Sequence, residues 1–254
     1  MSLNPFPNAL TGHVALITGG AGGIGSAISQ TLAQAGAIVV ITYNNDVVKA
    51  NTLLETLPGE DHAVVQASVT DSVSLGRLAD FIVERYGRLD ILVNNAGITT
   101  PVPHDDLDAL TDEWIDRIFQ TNWRGPFAMI RACKTLLMAD KGGLIINISS
   151  FAAQTGIGSN VAYCASKAAI DSLTRSLARA LAPKVRVVSV APGLVLGDYA
   201  SRFDPAFIQG QTNATPMGRL GVPDDVAKTV LALATTLTFT TGSVIPVDGG
   251  RGVA

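Results

Sequence analysis

The chain has 254 residues, 47% of them apolar and 15% charged, with a net charge of −3. That length and composition suffice for a sizeable buried core, and the charge gives no electrostatic footing for nucleic acid or an anionic membrane surface. The two cysteines, Cys133 and Cys164, form no CxxC pair, and no apolar run approaches a bilayer span, which argues against a disulfide scaffold and a membrane-spanning segment.

Met1 to Pro7 lacks the basic and apolar regions of a secretory signal, so residues 1–11 read as an N-terminal tail of a cytoplasmic protein. His13 to Thr18 is a short β-branched run, and Gly19-Gly20-Ala21-Gly22-Gly23-Ile24-Gly25 follows at once. Ser26 to Gly36 then reads as helix. Strand, glycine turn and helix in that order turn a glycine pattern into a dinucleotide site, because glycines admit the pyrophosphate and the helix N-terminus favours its charge. The bland alternative is a turn that only packs strand on helix. No Lys-Ser or Lys-Thr follows, which disfavours a nucleotide-triphosphate P-loop.

Ala37 to Tyr43 reads as the next buried strand, and its end should select the cofactor. An acid there would bind the ribose 2′-OH of NAD, whereas NADP needs groups that accept a 2′-phosphate. The chain offers Tyr43, Asn44 and Asn45, and Asp46 reads as the N-cap of a helix to Leu57. With no carboxylate at the tip, NADP is favoured over NAD.

The alternation continues with a strand at Ala63 to Ala67, a helix at Ser72 to Tyr86 and a strand at Leu89 to Val93. Asn94-Asn95-Ala96-Gly97 closes that strand; the asparagines can bond neighbouring backbone, and Ala96 and Gly97 leave room for a flat ligand. Thr99 to Asp108 reads as a solvated loop in which His104 stands beside acids without making a metal site, and His13 and His62 stand alone. Asp112 to Met138 reads as one long helix broken in its interior by Pro126, whose missing N–H frees the carbonyl of Asn122 for a water or side chain.

Leu144 to Ile148 reads as a buried strand with Ser149 and Ser150 at its carboxyl end, the edge where open α/β sheets bind ligands. Asn160 to Ala182 reads as helix and carries Tyr163 and Lys167 four residues apart, on one face. A phenol titrates near pH 10, and a fixed cation beside it favours the phenolate, so the pair could move a proton to and from a substrate oxygen. Cys164 points about 100° away from Tyr163 and reads as packing. Val185 to Val190 is a further strand, turned outward by Ala191-Pro192-Gly193. Leu194 to Met217 has weak periodicity, with aromatics at Tyr199, Phe203 and Phe207, and reads as a substrate lid. Pro223 to Thr235 reads as helix and Ser243 to Val247 as the last strand. The whole chain, 1–254, is expected to be one α/β domain, a doubly wound parallel sheet of seven strands with helices on both faces.

From about Gly12 to Gly250 the chain resembles the short-chain dehydrogenase/reductase family. The resemblance rests on Thr18-Gly19-x-x-x-Gly23-Ile24-Gly25, Asn94-Asn95-Ala96-Gly97, Asn122, Ser150, Tyr163-x-x-x-Lys167, Pro192-Gly193 and Asp248-Gly249-Gly250, in that order. It implies a Rossmann fold and hydride transfer between NADP or NAD and an alcohol or carbonyl substrate. Tyr163 is then the acid/base, and Ser150, rather than Ser149, bonds the substrate oxygen. Lys167 lowers the Tyr163 pKa and binds the nicotinamide ribose, and Asn122 anchors a water that continues the proton relay. Thr18, Gly19, Gly23, Ile24, Gly25, Tyr43, Asn44, Asn45, Ser68, Val69, Asn95, Ala96, Gly97, Tyr163, Lys167, Pro192, Gly193 and Val195 are the implied cofactor contacts. The chain departs from the family pattern at Ser68, where an Asp is common, at Gly197, where a Thr is usual, and at Val188, where an Asn is frequent.

Leu181 to Arg186 and Asp248 to Arg251 are similar to pteridine reductases, but Gly23 and Ser150 stand where those enzymes carry Arg and Asp. Sugar or polyol reductases and 3-oxoacyl-carrier-protein reductases fit the same frame. A cofactor-binding sensor or scaffold without turnover is the competing class, and the set Asn122, Ser150, Tyr163 and Lys167 argues against it. The resemblance and the small residues around the Asn160 to Ala182 helix imply a homo-oligomer, a tetramer.

Overall fold

A computed structural model of the chain describes residues 7–197, 200 and 203–253. Within them the elements alternate as the sequence predicts. They run β1 (Val14–Ile17), α1 (Gly23–Gln34), β2 (Ile38–Tyr43), α2 (Val47–Thr56), β3 (Ala63–Gln66), α3 (Ser72–Tyr86) and β4 (Ile91–Asn94). Then follow α4 (Asp112–Phe119), α5 (Gly125–Met138), β5 (Gly143–Ile148), α6 (Ala152–Thr155), α7 (Val161–Leu181) and β6 (Val185–Pro192). The chain closes with α8 (Pro205–Asn213), α9 (Pro223–Thr235) and β7 (Val244–Val247).

The strands form one parallel sheet in the order β3-β2-β1-β4-β5-β6-β7. Helices cover both faces, which is why the inner strands read as unbroken apolar runs. Alternate residues serve the two layers. Ala15, Ile17, Val39, Ile41, Ile91 and Val93 pack under α1 and α9, while Val14, Leu16, Val40 and Leu92 pack under α3, α5 and α7. Ile17, Ile28, Leu32, Leu75, Leu78, Leu92 and Met129 are among the fully buried side chains, each stabilising the fold by about 1.5–3 kcal/mol relative to exposure. Beside β1 the strand order reverses, with β2 on one side and β4 on the other. A crevice therefore opens at the carboxyl ends of β1 and β4.

Several boundaries differ from the sequence reading, for physical reasons. Helix α1 begins at Gly23, not Ser26, because Gly22 is extended (φ −73, ψ 170) and the next glycine already enters the first turn. The long helix over 112–138 is two helices joined by a π-helical turn, Gln120–Arg124. The turn sits just before Pro126, whose absent N–H disrupts the regular ladder. Strand β6 runs on through Pro192 because β7 pairs beside it, Pro192 opposite Val247. Asp46 caps α2 as expected, its Oδ1 accepting from Lys49 N at 2.9 Å. The chain is anchored before residue 11, since Leu10 is buried and its N–H donates to Ala35 O at 2.8 Å; the tail residues 1–6 lie outside the described residues. The segment 194–217 holds α8, which its weak periodicity concealed, and Tyr199 lies outside the described residues.

Candidate active site

A cleft of about 920 Å³ opens at the carboxyl ends of the central strands. Gly23, Ile24, Gly25, Asn95, Gly97, Ser150, Tyr163, Lys167, Pro192, Gly193 and Val195, all expected from the sequence, line it.

The glycine turn is shaped from both sides. A Cβ on Gly25 would lie 2.4 Å from Gly19 O and 2.7 Å from Asn95 Nδ2, so only glycine lets α1 seat this close to the turn. Gly19 itself has φ +61, in the left-handed region. A Cβ on Gly23 would meet nothing within 4 Å. Gly22 caps α1 with no side-chain acceptor, and no acid stands in the first turn, so the opening N–H groups of the helix are available to an anion. An open cradle at a bare helix N-terminus fits a pyrophosphate. Behind it, Thr18 Oγ1 accepts from Asn95 N and Ala96 N at 3.0 and 3.1 Å. Asn95 Nδ2 returns bonds to Thr18 O and Gly19 O, both at 3.0 Å. Thr18, Gly19 and Ala96 thus hold the crevice floor together rather than face the cleft.

Helix α7 brings Tyr163 and Lys167 to the opposite wall. Lys167 Nζ lies 5.7 Å from the centre of the Tyr163 ring and donates to Ile148 O at 2.8 Å. Burial lowers the Lys167 pKa to about 8, partly opposed by the carboxylate of Asp171 one turn along. Asp171 is also buried, its Oδ1 lacks a hydrogen-bond partner, and burial pushes its carboxyl above the usual range. The two serines divide their work. Ser149 Oγ donates to Lys167 O at 3.3 Å, whereas Ser150 Oγ accepts from Ala152 N at 3.2 Å, which leaves its hydroxyl hydrogen to donate elsewhere.

Asn122 lies in the π-helical turn, 1% exposed. Its Nδ2 donates to Ile98 O at 3.0 Å and Ser166 Oγ at 3.1 Å, and its Oδ1 accepts from Ile98 N at 2.8 Å. A Cβ on Gly97 would lie 3.3 Å from Asn122 Oδ1 and 3.7 Å from Lys167 Nζ, so Gly97 keeps the space between them open.

Besides Thr18, Gly19 and Ala96, five expected cofactor contacts lie outside the cleft lining. Tyr43 ends β2 and Asn44 and Asn45 follow it, with both amides exposed and Gln66 Nε2 donating to Asn44 O at 3.0 Å. Ser68 and Val69 follow β3; Ser68 Oγ bonds Thr70 Oγ1 at 2.9 Å, and Val69 abuts Gly125. Sequence reasoning missed Phe151, Ile157 and Ser159, which reach the cleft from the segment between β5 and α7; Leu196 and Gln211, the latter on α8, reach it from the expected lid segment. His104, read as part of a solvated loop, also lines the cleft, its Nε2 3.1 Å from Gly158 O.

Residues 19–251 match the family described as enoyl-(acyl carrier protein) reductase. The short-chain dehydrogenase/reductase FrzI of Cladobotryum sp is 38% identical, with 98% of each chain covered. The chain belongs to the short-chain dehydrogenase/reductase family. This short-chain dehydrogenase/reductase is also 35% identical to the 3-oxoacyl-acyl-carrier-protein reductase FabG of Thermotoga maritima, over 95% of this chain and 98% of that one. The crystal structure of a short-chain dehydrogenase/reductase from Brucella melitensis, described as glucose/ribitol dehydrogenase, superposes with a TM-score of 0.90 at 29% identity, covering 96% and 98% of the two chains. The protein is an NAD(P)-dependent oxidoreductase. No helix among its described residues is long and apolar enough to cross a membrane.

Proposed function

We propose that this short-chain dehydrogenase/reductase interconverts a carbonyl and an alcohol with Tyr163 as acid/base. The observation that carries the reading is the Lys167 ammonium beside the Tyr163 ring in a cleft that also holds Ser150. In the reducing direction Tyr163 gives its hydroxyl proton to the substrate oxygen, which Ser150 Oγ holds by a hydrogen bond. Lys167 favours the phenolate left behind and meets the nicotinamide ribose. Asn122 anchors the relay water through its main-chain carbonyl, since its side chain is committed to Ile98 and Ser166. The bound nicotinamide supplies the hydride to the carbon bearing that oxygen.

Gly23, Ile24, Gly25, Asn95, Gly97, Pro192, Gly193 and Val195 hold the cofactor along the cleft, with Ser68 and Val69 at its adenine end. The cofactor is NADP. No carboxylate is available at the end of β2, because Asp46 is occupied as the α2 cap, and the exposed Asn44 and Asn45 amides can donate to a 2′-phosphate. Phe151, Ile157, Leu196, Phe203 and Phe207 give the substrate side an apolar wall. That wall suits a carbonyl on an apolar body, a class that includes the 3-oxoacyl chains named for the Thermotoga maritima relative.

The chain works as one catalytic domain in which residues 194–217 close over the substrate. It assembles as a homotetramer. Small residues line α7, and exposed apolar side chains gather at two separate places: the stacked Trp123 and Phe127, and Leu237 with Phe239 near the far end of the sheet. Two buried, unpaired cysteines suit the cytoplasm. The test is oxidation of NADPH and NADH with a carbonyl panel, native protein against Tyr163→Phe. Turnover by native protein alone is expected; equal rates would refute the acid/base assignment. A monomeric mass in solution would refute the assembly.

A further inference from the structure

One wall of the cleft is made of two loops that meet. Thr99 to His104 comes from the carboxyl side of β4, and Ile157 to Asn160 leads into α7. Val102 N donates to Ser159 O at 2.8 Å, His104 Nε2 donates to Gly158 O at 3.1 Å, and the Thr99 and Ser159 hydroxyls share a hydrogen bond. Asn160 completes the seam. Its Nδ2 donates to Thr100 O at 2.6 Å and Thr99 Oγ1 at 3.3 Å. Its Oδ1 accepts the main-chain N–H of Tyr163 at 2.7 Å.

We propose that Asn160 is a positioning residue that ties the substrate-side loop at Thr99 and Thr100 to the helical turn carrying Tyr163. The inference rests on the acid/base reading of Tyr163 given above. Asn160 is 1% exposed, so neither half of its amide can exchange these partners for water at little cost. An N-cap needs only an acceptor, and Ser, Thr or Asp supplies one. Here the cap also donates, which an ionised Asp cannot do. One planar amide therefore fixes the distance between the loop that lines the substrate pocket and the phenol that must reach the substrate oxygen. Proton transfer needs that reach to within a few tenths of an ångström, and misplacement by about 1 Å can cost a hundredfold.

Asn160→Asp and Asn160→Ala separate the two halves. With reduced cofactor and the best carbonyl of the panel, Asn160→Asp keeps the cap; kcat is expected to stay within about threefold of native while the carbonyl KM rises about tenfold. Amide hydrogen exchange at Thr100 and Val102 should speed up in the same variant. Asn160→Ala loses both halves and should also lower kcat by on the order of tenfold to a hundredfold, with the cofactor dissociation constant unchanged. Native KM and native loop exchange in Asn160→Asp would overturn the proposal, and so would equal kcat in the two variants. If Asn160→Ala does not fold, KM and exchange in Asn160→Asp decide alone. Turnover by Tyr163→Phe would sink the acid/base reading instead, and leaves the exchange result as the measure of the tether.

Discussion

Lys167 Nζ is held between the Ile148 carbonyl, 2.8 Å away, and the Tyr163 ring, whose centre is 5.7 Å away. Helical spacing puts the two side chains on one face, but the end of β5 supplies the acceptor that keeps the ammonium there. Burial brings the Lys167 pKa down to about 8, so its charge is lost just above neutrality in the free enzyme. Once it is neutral, nothing offsets the phenolate that proton donation creates. The kcat/KM for carbonyl reduction should therefore fall as pH rises through about 8. Lys167→Met should lose on the order of 10²- to 10⁴-fold in kcat and lack that limb. A pH–rate profile of both proteins checks this.

The same depressed pKa has a thermodynamic sign. Between about 8 and 10.5 the unfolded chain holds the Lys167 proton and the folded chain does not. Stability must then rise with pH across that window, because the unfolded state binds more protons. The shift corresponds to at most about 3 kcal/mol. Denaturant unfolding at pH 7.5 and pH 10 should show the native protein gaining stability relative to Lys167→Met.

Asp171 opposes this depression from one turn further along α7. Removing its carboxylate takes away the charge that helps keep Lys167 protonated. Asp171→Asn should therefore move the alkaline limb of kcat/KM to lower pH than in the native protein. A limb that stays in place, in a variant that binds cofactor normally, would show that the two groups do not communicate.

The strands and the Tyr163–Lys167 pair were legible for the same reason: both are local patterns. Strands buried on both faces read as apolar runs between turns, and four residues along a helix is one turn whatever surrounds it. Pro126 gave half of the next feature, a disturbed helix around Asn122, but not the Ile98 and Ser166 partners that fix the side chain, which stand 24 and 44 residues away. Asn160 was visible as the start of a helix, and its donation to Thr100, 60 residues back, was not. Asp171 could not be singled out, since an acid on a helix is ordinary until its burial is known. His104 is exposed in a loop, as read, but its contact with Gly158 O was not legible, because that carbonyl belongs to a loop that only the fold brings near.

Gly23 and Gly25 should respond to alanine in opposite ways. At Gly25 the new methyl would sit 2.4 Å from Gly19 O, a backbone atom that cannot yield without moving α1 off the sheet. Gly25→Ala should lower Tm by several degrees and weaken cofactor binding together. At Gly23 the methyl enters open space, so folding has no reason to suffer. If that space takes the pyrophosphate, Gly23→Ala keeps its Tm and loses cofactor affinity, about tenfold or more. Thermal melts beside fluorescence titration with NADPH separate the two; unchanged affinity in Gly23→Ala would move the phosphates elsewhere.

The end of β2 offers the last test. Asn44 and Asn45 are both exposed, and the next acid in the sequence, Asp46, is turned back onto Lys49 N. An acid at this tip would accept from a ribose 2′-OH and repel a 2′-phosphate. Asn44→Asp changes the charge with almost no change in shape, at a surface site where stability should hold within about 0.5 kcal/mol. The ratio of kcat/KM for NADPH over NADH should drop by about tenfold or more, through a rise in the NADPH KM. A ratio that does not move, in Asn44→Asp and Asn45→Asp alike, would place the 2′ position beyond the reach of both side chains and remove the structural case for NADP.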